Sequence, residues 1–125
     1  MTTYVVTGGA GFIGSHIAER LIKDGNTVRV VDNLLTGQPS NLDYLKSLNG
    51  DLSIHEVSIT DYDNLLPVFD GVDITFHQAA LASVPRSVAN PRETNLHCVT
   101  GTLNVLDAAR NSGVKRVVYA ASSSA

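Results

Sequence analysis

The chain has 125 residues, 43% hydrophobic and 17% charged, which suits one packed domain and excludes both a disordered segment and a two-domain enzyme. Nine Lys and Arg against twelve Asp and Glu give a formal charge of −3, so no basic surface for nucleic acid is expected. A lone Cys98 excludes a disulfide framework, no apolar run approaches the roughly 20 residues of a membrane span, and MTTYVVTGG lacks the features of a signal peptide, so a cytoplasmic location is expected.

Tyr4 to Thr7 is a β-branched run and predicts a buried strand. Phe12 to Lys23 carries apolar residues at 12, 13, 17, 18, 21 and 22, a helical spacing, and Gly25 stands where a left-handed residue closes a helix. Thr27 to Val31 predicts a second strand ended by Asp32; Thr36 to Asn41 (TGQPSN) reads as loop and Leu42 to Leu48 as a short helix. Leu52 to Val57 alternates as a third strand. Thr60 is placed to cap a helix over Asp61 to Phe69, and Val72 to Phe76 predicts a fourth strand. Leu81 to Ala89 reads as loop. A long helix is expected from Pro91 to Asn111, with Asn90 as N-cap, Glu93 in a capping box and Gly113 beyond its end. Val114 to Ala121 predicts a fifth strand. Strands alternating with helices argue for a parallel sheet with helices on both faces, one domain over 1–125. The final strand would be an apolar edge with nothing after it to cover it, so a truncated chain is expected.

Gly8, Gly11 and Gly14 fall between the first strand and first helix; Gly9, Gly11 and Gly14 also fit G-x-G-x-x-G. In such a turn one glycine permits the bend, one lets the backbone approach a pyrophosphate, and one lets helix and strand pack closely. The helix N-terminus favours the anion. Asp32 follows 18 residues beyond Gly14, at the end of the second strand, where it can bond ribose hydroxyls and repel a 2′-phosphate. NAD is thus expected over NADP. No Gly-Lys-Ser/Thr follows, which excludes a Walker-type loop.

TGGAGFIG (Thr7 to Gly14), DNLLTG (Asp32 to Gly37), HQAA (His77 to Ala80), GTLNVLDAAR (Gly101 to Arg110) and VVYAASSSA (Val117 to Ala125) together resemble the extended short-chain dehydrogenase/reductase family, over essentially the whole chain. Within it, SVPRSV (Ser83 to Val88) is most similar to nucleotide-sugar 4-epimerases acting on UDP-hexoses or UDP-N-acetylhexosamines. The resemblance implies a Rossmann-type doubly wound α/β fold with strand order 3-2-1-4-5. It also implies NAD across the strand ends and a UDP-sugar substrate oxidised to a 4-keto form and reduced on its other face. Gly8, Gly11, Phe12, Ile13 and Gly14 would hold the pyrophosphate; Asp32, Asn33, Thr36 and Gly37 the adenosine ribose. Ser58 and Ile59 would flank the adenine, with Gln78, Ala79 and Ala80 near the nicotinamide. Ser123, with Ser124 next, would bind the reacting oxygen, and Ser83 and Arg86 the substrate. A homodimer of the full-length protein through the Pro91–Asn111 helix is also implied.

The chain departs from the family pattern at several points. Tyr4, Tyr44, Tyr62 and Tyr119 precede Gly8, Leu48, Leu66 and Ser123 by four, so no Tyr-x-x-x-Lys is present and these 125 residues are not expected to be catalytically complete. Ser58 replaces the usual Asp, and Cys98 stands where Asn is common, with Asn95 one turn earlier. The alternatives are a nucleotide-sugar 4,6-dehydratase, disfavoured because Ser124 and Ala125 rather than Asp-Glu follow Ser123, and a non-catalytic NAD-binding module. His16, His55, His77 and His97 share no metal-like spacing, so no metal is expected; His77, ending the fourth strand, is expected to play a structural role beside the cofactor. Tyr119 is expected in the core.

Overall fold

The computed structural model describes residues 2–33, 39–78, 92 and 99–119. In chain order it contains β1 (Thr3–Thr7), α1 (Phe12–Lys23), β2 (Thr27–Val31), α2 (Pro39–Ser47), β3 (Leu52–His55), α3 (Tyr62–Leu65) running into a 3₁₀ turn (Leu66–Phe69), β4 (Ile74–His77), α4 (Gly101–Asn111) and β5 (Arg116–Tyr119). All strand pairings are parallel, in the order β3-β2-β1-β4-β5 expected for this doubly wound fold. Thr7 lies opposite both Val31 and His77; His55 lies opposite Val31 and Tyr119 opposite His77. All five strands therefore end at one level, along the carboxyl edge of the sheet, where ligands of open α/β sheets bind.

Strand side chains alternate between two apolar layers, as the pleat requires. Val6, Val28 and Val30 pack with Ala10, Ala18 and Ile22 beside α1 and with Leu42 and Leu45 of α2. Val5 and Val31 point the other way, into Leu65, Phe69, Val105 and Ala108. Helices on both faces follow from this division. Arg29 crosses from β2 to the 3₁₀ turn, donating to the Val68 carbonyl at 2.7 Å and the Asp70 carbonyl at 2.6 Å.

Both long helices stop in the same way. Gly25 (φ +86°) and Gly113 (φ +77°) adopt the left-handed conformation. Gly25 N–H bonds Ile22 O and Asn26 N–H bonds Leu21 O; Gly113 N–H bonds Arg110 O and Val114 N–H bonds Ala109 O. Each pair closes a Schellman motif and turns the chain straight into the next strand.

The structure corrects several expected boundaries. The second helix begins at Pro39, inside the segment read as loop, because proline's fixed φ suits a first helical turn. The helix expected over Asp61 to Phe69 divides at Leu66: Pro67 has no N–H to donate to a carbonyl four residues back, and the chain tightens to 3₁₀. Its N-cap is Asp61, not Thr60, which instead turns toward Ser58. The third strand ends at His55, where Val57 N–H bends back to the His55 carbonyl, and the fourth runs from Ile74 to His77. Of the helix expected over Pro91 to Asn111, Gly101–Asn111 is seen with Arg92 also helical; Asn90, Pro91 and Glu93 lie outside the described residues.

Candidate functional site

The turn between β1 and α1 is built from backbone. Gly8 N–H bonds the Val31 carbonyl at 2.7 Å and Gly11 N–H bonds the Gly8 carbonyl at 3.0 Å. Gly8 has φ +74°, which glycine adopts at little cost. Gly14 lies against the turn so closely that a Cβ there would overlap the Gly8 carbonyl oxygen and approach its carbon to 2.8 Å. Gly11 is the N-cap of α1, with no side-chain cap bond. The N–H groups of Phe12, Ile13 and Gly14 take no hydrogen-bond partner among the described residues. Three donors and the positive end of α1 thus face one place, which suits a dianionic pyrophosphate.

Asp32 sits just past β2 with only 9% of its surface exposed. Its Oδ2 accepts the Ala10 N–H at 2.9 Å, so the carboxylate braces the glycine turn from β2. Asn33, beside it, is exposed. From α2, Asn41 Nδ2 donates to the Ala10 carbonyl at 2.8 Å. Asn41 ends the segment TGQPSN that reads as loop in the sequence; its contact with Ala10, 31 residues away, is visible only in the fold.

Across the strand ends, His77 is buried and joins three elements. Its Nδ1 is hydrogen bonded to Thr7 Oγ1 at 2.7 Å and its Nε2 to Thr102 Oγ1 of α4 at 3.0 Å. Burial pushes its pKa down from 6.5 to about 4, so the ring is neutral at pH 7, and the two hydroxyls can satisfy either tautomer. Gln78 N–H donates to Thr7 O at 3.1 Å and Thr7 Oγ1 at 3.0 Å, fixing the chain as it leaves β4. Because the folded state holds this ring neutral, the unfolded state binds more protons between pH 4 and 6.5. Stability is therefore whole above pH 6.5 and falls as pH drops toward 4. Melting temperatures are expected to decline over that interval, and His77→Gln should flatten the decline; an unchanged slope in the variant would assign the titration to another group.

Ser58 Oγ is hydrogen bonded to Thr60 Oγ1 at 2.7 Å and accepts the Thr60 N–H. Ile59 is 4% exposed, so its side chain belongs to the core and its backbone is what remains at the strand ends. Two residues of α4 hold it: Asn104 Nδ2 donates to its carbonyl at 2.9 Å, and Gly101 lies so close that a Cβ would come within 2.6 Å of Ile59 Cγ1. His55, at the end of β3, has its pKa lowered by partial burial and then by the nearby Arg29 charge. His16 lies on the exposed face of α1. Thr36, Gly37, Ala79, Ala80, Ser83, Arg86, Ser123 and Ser124 lie outside the described residues, as do Asn95, His97 and Cys98; so does the side chain of Tyr119.

Comparison with known proteins supplies a frame for this geometry. A family model described as "NAD dependent epimerase/dehydratase family" matches residues 4–125. A UDP-N-acetyl-alpha-D-glucosaminuronate decarboxylase from Bacillus cytotoxicus is 38% identical over 119 residues, covering 95% of this chain and 36% of that protein. Among solved structures, a UDP-N-acetylglucosamine 4-epimerase from Methanobrevibacter ruminantium M1 in complex with UDP-N-acetylmuramic acid is similar at a TM-score of 0.87 and 41% identity, over 98% of this chain and 38% of that one. A UDP-glucose-4-epimerase from Stenotrophomonas maltophila with bound NAD and formylated UDP-arabinopyranose gives a TM-score of 0.91 at 28% identity, over 99% of this chain and 38% of that one. The chain thus spans little more than a third of the length of these relatives.

Proposed function

The chain belongs to the NAD dependent epimerase/dehydratase family, and from that premise we propose that it forms the NAD-binding part of an isomerase that inverts C4 of a UDP-hexose or UDP-N-acetylhexosamine. The observation that carries the proposal is the glycine turn: Gly14 leaves no room for a side chain, the N–H groups of the first turn of α1 are without partners among the described residues, and Asp32 holds the Ala10 N–H within the turn. NAD supplies, when bound, a hydride acceptor that can return the hydride, which is what inversion at a carbinol carbon needs. In this reading the backbone at Gly8, Gly11, Phe12, Ile13 and Gly14 holds the pyrophosphate. Asp32 and Asn33, with Thr36 and Gly37, hold the adenosine ribose, and the Ser58–Ile59 segment flanks the adenine. Gln78, Ala79 and Ala80 line the nicotinamide side. Ser83 and Arg86 meet the substrate, and Ser123 or Ser124 the reacting oxygen. A homodimer is supported by Val99, Leu103 and Leu106, an apolar stripe of helical spacing that is 58%, 63% and 46% exposed. A cytoplasmic location remains part of the proposal.

Likeness to a decarboxylase favours a second reading, in which the substrate is a UDP-uronate. The two reactions share oxidation at C4. A carboxylate at C6 is then β to a ketone and can leave as carbon dioxide, whereas a neutral sugar keeps its carbon and is returned as the C4 epimer. Incubating the intact protein with UDP-N-acetylglucosamine, UDP-glucose or UDP-glucuronate and following the anomeric proton signals separates them. The expected result is a new C4 epimer of a neutral sugar. Carbon dioxide from the uronate without any epimer would replace epimerisation by decarboxylation. NAD binding with no turnover of any of the three would leave a binding module.

A further inference from the structure

We propose that Asn41 is a positioning residue of the dinucleotide site, clamping the Ala10 peptide so that the glycine turn presents its N–H groups to a pyrophosphate. The proposal rests on the reading of that turn as the NAD cradle. Ala10 lies between Gly9 and Gly11, the most permissive stretch of backbone in the chain, and a peptide flanked by glycines can rotate about its own axis at little steric cost. Two side chains from different elements prevent this. Asp32, at the end of β2, accepts the Ala10 N–H at 2.9 Å; Asn41, in the first turn of α2, donates to the Ala10 carbonyl at 2.8 Å. Ala10 has no exposed surface, so a carbonyl released by Asn41 would have no water to turn to.

The choice of residue points the same way. Asparagine is a mediocre helix former, and Asn41 spends its amide on the turn rather than on its own helix. Aspartate could not substitute, because a carboxylate would face a carbonyl oxygen. Asp32 and Asn41 also bracket Thr36 and Gly37 in sequence, so the two braces tie the adenosine side of the site to the pyrophosphate side.

The test is carried out on the intact protein with NAD, ADP and adenosine, the first two by calorimetry and adenosine by displacement of NAD. Asn41→Ala is expected to weaken NAD and ADP by about tenfold, the loss of one buried hydrogen bond, while adenosine changes less than twofold. Asn41→Gln, which keeps the amide donor, should recover most of the loss; it also serves if the alanine variant fails to fold. Equal weakening of adenosine and ADP would make Asn41 a general support of the fold and overturn the proposal, as would unchanged NAD and ADP affinities in a folded Asn41→Ala. Failure of the wild-type protein to bind NAD or ADP at all would instead overturn the dinucleotide reading on which the proposal rests.

Discussion

Gly14→Ala is expected to abolish measurable NAD binding and to lower stability by about 1–3 kcal/mol, the usual range for overpacking. Two effects of opposite sign compete at this site. Alanine is favoured over glycine inside a helix by about 1 kcal/mol, so propensity alone predicts a more stable protein. Against it stands the overlap of the new methyl group with the Gly8 carbonyl oxygen, with the Gly8 carbon at 2.8 Å and Gly9 Cα at 3.2 Å. Those atoms are backbone, so no side-chain rotation relieves the contact and α1 must withdraw from the turn. Withdrawal spreads the Phe12, Ile13 and Gly14 donors, and the anion site goes with them. Urea denaturation and NAD calorimetry check the two parts separately. A variant as stable as the wild type with undiminished affinity would show that the close approach is dispensable.

Asp32 carries two duties that substitution can separate. Its Oδ2 satisfies the buried Ala10 N–H, and its charge disfavours a 2′-phosphate. Asp32→Ala removes both: an orphaned buried donor costs about 1–3 kcal/mol, and the preference for NAD over NADP should fall by at least about tenfold with loss of a charged hydrogen-bonding partner. Asp32→Asn keeps an oxygen for Ala10 and removes only the charge. It should show the same relaxed cofactor preference with a nearly unchanged denaturation midpoint. If both variants retain the wild-type NAD to NADP ratio, the carboxylate serves the turn alone; if Asp32→Asn is as unstable as Asp32→Ala, the brace depends on charge.

Much of the fold was legible because its punctuation is local. α1 and β2 fall on the expected residues: Gly11 opens the helix, Gly25 closes it, and the β-branched run after it has no competing helical period. Alternation of elements gives the parallel sheet, whereas the strand order comes only from the likeness of the motifs to a known family. Boundaries failed where two local signals conflicted. TGQPSN has the composition of a loop although Pro39 to Asn41 lie in the helix Pro39–Ser47, and the apolar spacing over Asp61 to Phe69 conceals what Pro67 does to the hydrogen-bond ladder. In the site, the glycines and Asp32 announce themselves by spacing. What spacing cannot show is who holds them. Asn41, 31 residues from Ala10, and Thr102, 25 residues from His77, carry no sequence signal of their own, because each matters only through a partner that the fold delivers.

The position of β1 at the middle of the sheet has a kinetic consequence. Its pairing with β2 joins residues 24 apart in sequence, Thr3 with Thr27, whereas its pairing with β4 joins residues 70 apart, Tyr4 with Ile74. The first loop closes at lower entropic cost and can form early; the second must enclose two intervening strands, β2 and β3, and the helices between them. The Thr7–His77 hydrogen bond spans that longer loop, so it is expected to form late in folding. Damage to it would shorten the lifetime of the native state while leaving the speed of its formation nearly untouched.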